Sequence, residues 1–108
     1  MSVYAIRAHL ETSGPVVCPP AAPVVRDGLE HGFRGPARLS HARIRVTPQA
    51  VDAVAFVVAG SLLDAEDGLR EAWQQLTTPD SVLSGWHLLH CEADSRLALG
   101  LYELPSLP

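Results

Sequence analysis

The sequence predicts a small α+β sandwich: an antiparallel sheet of four to five strands with one long and one short helix on one face. Three observations carry this. Apolar and polar residues alternate with a period of two in several short stretches, which marks strands with one dry and one wet side. One stretch, 62–77, repeats its apolar residues at helical spacing. The elements follow the order strand, short helix, strand, strand, long helix, strand. With 108 residues and 47% hydrophobic composition, the chain is expected to form one domain with its own core, without metal or disulfide staples.

The opening "SVYAIRAHL" sets Val3, Ala5, Arg7 and His9 against Tyr4, Ile6, Ala8 and Leu10, as a half-buried strand does. Residues 12–38 are a Pro- and Gly-rich loop holding a short helix, "PVVRDGLEHG". Pro23 suits its first position and Gly32 its C-terminal cap. Gly28 within it costs about 1 kcal/mol relative to Ala. "HARIRV" (41–46) alternates again, with His41, Arg43 and Arg45 opposite Ala42, Ile44 and Val46. "TPQA" is a turn. "VDAVAFVVAG" is apolar on both sides apart from Asp52, so it belongs in the middle of the sheet. In "SLLDAEDGLREAWQQL", Ala65, Leu69, Ala72, Trp73 and Leu76 form the dry stripe, and Ser61 or Asp64 caps the start. "GWHLLHCEAD" is strand-like, "ADSR" a turn, and 97–108 a last strand or surface arm.

This order resembles the split βαβ, ferredoxin-like sandwich. That resemblance implies that the first and third strands are central, that "HARIRV" lies at an edge, and that both helices share one face. The opposite face is then open. Arg7, His9, His41, Arg43 and Arg45 are expected on it, as a binding surface.

Composition narrows the function. All eight basic residues are Arg, as a GC-rich bacterial genome favours, and each is a planar fork suited to carboxylate or phosphate. The first fifty residues carry six Arg and three acids; the rest carry two Arg and nine acids, for a net charge of −4. A net acidic chain argues against non-specific nucleic-acid binding. The central strands offer only Tyr4 and Phe56 for base stacking, and no glycine-rich phosphate loop is present. No apolar run reaches the length of a membrane helix, and no signal peptide is evident. Cytoplasmic placement with free thiols follows as the expectation.

Of the chemistry-bearing residues, His87, His90 and Cys91 are metal-ligand types. Strict alternation would put His87 and Cys91 on one side of a strand and His90 on the other, so no shared metal site and no cofactor are expected. A Cys91–His nucleophile would need an accessible, electropositive thiol, whereas strand cysteines are commonly buried. The acids Asp64, Glu66, Asp67 and Glu71 read as solvated residues at a helix start. The expected function is therefore binding: a small accessory protein, homodimeric through its sheet, recognising an acidic protein or a small anionic ligand through the Arg/His face or the Pro-rich loop. The alternative is a small cofactor-free enzyme, such as an isomerase, cyclase or oxygenase-like protein. It would use His9, His87 or His90 as proton carrier and Arg43 or Arg45 as anion stabiliser.

Overall fold

The computed structural model describes residues 1–93. The expected turn at 93–96 and the strand or arm at 97–108, with any fifth strand, lie outside the described residues. The elements are β1 (Ser2–Thr12), α1 (Ala22–Gly32), β2 (Arg38–Val46), β3 (Ala50–Ala59), α2 (Leu62–Leu76) and β4 (Trp86–Ala93). The sheet is antiparallel throughout, with order β2-β3-β1-β4. The two-faced apolar strand β3 and the opening strand β1 are central, and the Arg-bearing β2 is an edge.

One face of the sheet is packed. Ile6, Ala8 and Leu10 of β1 lie beside Val51, Ala53, Ala55 and Val57 of β3, all buried. Both helices cover this face. Val25 and Leu29 of α1 and Leu69, Trp73 and Leu76 of α2 join the same cluster. Trp73 is fully buried, as the helical spacing requires, and its Nε1–H finds no hydrogen-bond partner among the described residues.

Local chemistry sets the boundaries. Ser61 caps α2: its hydroxyl accepts from the Asp64 amide at 3.1 Å. Thr47 closes the β2–β3 turn, its hydroxyl accepting from the Ala50 amide at 3.0 Å and its own amide donating to the Ala50 carbonyl at 2.9 Å. The Pro-rich loop is fastened to that turn, because the amides of Thr12 and Val16 donate to the carbonyls of Gln49 and Pro48.

Gly32 is not a cap. It is buried inside α1, with Phe33 in the capping position. A Cβ on Gly32 would stand 3.0 Å from Ala72 Cα, and one on Gly28 would stand 2.6 Å from Leu76 Cδ2. These two glycines let α1 press against α2, and that close approach accounts for their presence despite poor helix propensity.

Candidate functional site

The uncovered face of the sheet can be built row by row from the register. His41 of β2 opposes Phe56 of β3, and Phe56 opposes Ala5 of β1. In the next row Arg43, Val54, Arg7 and Glu92 follow one another across the four strands. After it come Arg45, Asp52, His9 and His90. All five residues expected on the open face are there, because alternation and pairing put them on the side opposite Ile6 and Val57.

They do not form one uniform row. Arg7, Arg43 and Arg45 line a shallow depression of about 390 Å³ with Asp52, Val54, Ile44 and Ala53. The surface is concave here because β1 brings Arg7 to the far side of Val54 from Arg43. His41 lies outside it, tilted over Phe56 with ring centroids 6.1 Å apart. His9 is held by carboxylates on both nitrogens: Nδ1 is 2.6 Å from Asp52 and Nε2 is 2.7 Å from Glu11. Two acceptors demand two ring N–H groups, so the imidazolium is favoured. Hydrogen bonding to Glu11, then to Asp52, raises the His9 pKa above its ordinary value.

Two irregularities change what alternation had implied. The β1–β4 register shifts at His9/Leu10, which leaves Leu89 as an extra residue between His90 (opposite His9) and Leu88 (opposite Leu10). The bulge puts His87 and His90 on the open face together and Cys91 on the packed face. The expectation that His87 and Cys91 share a side is therefore corrected. Burial pushes the Cys91 thiol up to about 11, and this sets it apart from activated nucleophiles. Among the described residues, no group of three or more His, Cys, Asp or Glu side chains is placed to hold a metal ion.

The second irregularity lies in β2, where the register shifts between Leu39 and His41. Ser40 is the extra residue. Leu39 therefore turns to the packed side, and Arg38, opposite Val58, joins the open face. Strict alternation from His41 would have placed Arg38 on the dry side, so the sequence pattern concealed a third arginine of this edge.

Two residues read as solvated or unremarkable tie α2 to β4. Glu66 accepts from the Ala93 amide at 3.0 Å, and Arg70 donates to the Cys91 carbonyl at 3.0 Å. Asp64, Asp67 and Glu71 are exposed. No helix of the described residues is long and apolar enough to cross a membrane. Compared with protein-family models, curated proteins and solved structures, the chain matches none.

Proposed function

We propose that the chain is a ferredoxin-like recognition module that binds anionic groups, carboxylate or phosphate, through the depression between Arg7, Arg43 and Arg45. The strand order supports the fold assignment: a split βαβ arrangement requires the first and third strands at the centre and the helices on one face. The observation that carries the function is the meeting of three guanidinium side chains from two strands around one shallow concavity whose lining, among the described residues, includes one carboxylate, Asp52. Planar forks from the two strands that flank β3 can grip an anion between them with paired hydrogen bonds.

Catalysis fits these residues less well. His9 has both nitrogens engaged by carboxylates, so proton exchange with a substrate would first have to break one of those bonds. His90 faces Glu92 at 3.1 Å. An enzyme of this size also needs a concave, largely enclosed cavity, and the depression is open. A cytoplasmic setting goes with the reading, since Cys18 and Cys91 are free thiols.

Calorimetric titration with hexaglutamate and with inorganic pyrophosphate tests the proposal. Wild-type protein should bind at least one of them, and binding should weaken with added salt as screening acts over about 8 Å at physiological ionic strength. Arg43→Ala combined with Arg45→Ala should weaken it by roughly tenfold or more while circular dichroism stays unchanged. No binding of either probe, or equal binding by the variant, would refute it.

A further inference from the structure

The reading above leaves open which carboxylate this face meets, and the arrangement of the face itself supplies one. We propose that the open sheet faces of two copies of the chain pack together about a two-fold axis parallel to the strands, so that the β2 edge of each copy lies over the β4 edge of the other. Arg43 and Arg45 of each copy then meet Glu92 of its partner. The inference rests on the anionic-recognition reading and names its partner as a second copy.

Two features of the face lead there. One end of its centre is apolar: Val3 is 51% exposed, and Val54, Phe56 and Val58 are half-buried beside it. Its two edges differ in charge: Arg38, Arg43 and Arg45 line β2 and Glu92 stands on β4, while between them Asp52 on β3 and Arg7, His9 and Glu11 on β1 mix both signs. An isologous contact must be self-complementary. A two-fold axis perpendicular to the strands would set β2 against β2 and oppose cation to cation. An axis parallel to them sets β2 against β4 and brings the Arg43 row over the Glu92 row. Sheets packed face to face keep their strands within about 30° of each other. That turn displaces the edges by about one residue, within reach of an Arg side chain.

The area suffices for a modest dimer. Four strands at about 4.8 Å spacing and about 30 Å length present on the order of 600 Å² per copy. Two copies give about 1,200 Å², the lower limit of standard interfaces, so association should depend on concentration.

The same register gives a test. Arg43 and Glu92 of one chain stand at opposite edges of a four-stranded sheet, roughly 14 Å apart, so neither can compensate the other within a copy. Sedimentation velocity should show the full-length wild type forming dimers as its concentration rises. The Arg43→Glu/Arg45→Glu variant and the Glu92→Arg variant, each alone, should dimerise roughly tenfold more weakly or worse, because like charges then face each other. An equimolar mixture of the two should recover dimer, since both contacts of the mixed pair join opposite charges. A wild type that stays monomeric over the whole range overturns the proposal, and so does a mixture no better associated than its components. Binding of hexaglutamate by such a monomer would leave the anionic-recognition reading standing, and its absence as well would remove both.

Discussion

His9 shows how two neighbours decide a side chain's state. Asp52 across the β1–β3 pair and Glu11 two residues along the strand accept hydrogen bonds from the two ring N–H groups, so the folded protein favours the imidazolium more than the unfolded chain does. With the folded pKa raised, the stabilisation is fully present below the unfolded pKa and is lost as pH rises through the folded one. Following the His9 ring signals by NMR against pH should give a midpoint above the ordinary histidine value, lowered by Glu11→Gln. A midpoint at or below the ordinary value would contradict the doubly bonded geometry. The cysteines make a parallel case. Cys18 is exposed and Cys91 buried, so a thiol reagent should titrate one group in the native protein and two after unfolding. Trp73 fills the core, and Trp73→Ala should lower the unfolding free energy by about 3–5 kcal/mol, measured by urea denaturation. A loss below about 1 kcal/mol would show that the indole is not packed as described.

At the scale of elements, the glycines of α1 separate propensity from packing. Gly28→Ala would push only a methyl of Leu76, the far end of a flexible side chain, and helix propensity gains about 1 kcal/mol in return. It should be close to neutral. Gly32→Ala meets the Ala72 backbone, which cannot yield without parting the helices, and should cost about 1–3 kcal/mol despite the better propensity. Thermal melts of the two variants check the order, and a reversal would mean that the helices do not meet at Gly32. The same elements show how far the sequence could be read. The alternation in 2–10 and 41–46 and the helical stripe in 62–77 each report burial directly, so strands, long helix and central placement of β3 were legible. The bulges at Ser40 and Leu89 were not. Each adds one residue without changing composition, and only the register of the neighbouring strand reveals it. That is why His87 and Cys91 were expected on one side and His90 on the other; Arg38 was missed because it was read as the last residue of the loop, whereas β2 begins there. Gly28 and Gly32 were legible only as a cost, because their benefit lies in another helix.

At the scale of the whole fold, no element of the described residues covers the second face of the sheet, and this chain furnishes that face unevenly. Apolar groups occupy one end of its centre, arginines its β2 edge and Glu92 its β4 edge, with Asp52, Arg7, His9 and Glu11 between them. The placement of Arg7, His9, His41, Arg43 and Arg45 on one face was readable from pattern and topology. Their division into a depression, a ring tilted over Phe56 and an imidazole hydrogen-bonded on both nitrogens was not, since it depends on cross-strand neighbours far apart in sequence. The central claim is that the depression, and not basic charge in general, recognises anions. Its most direct measurement is the shift of the arginine side-chain Nε–H NMR signals on titration with hexaglutamate, at a protein concentration low enough to keep the chain monomeric. The account predicts saturable shifts at Arg7, Arg43 and Arg45, with Arg26 and Arg34, on and just after α1, unmoved. Shifts of similar size at all of these arginines, or none at the three that line the depression, would contradict it.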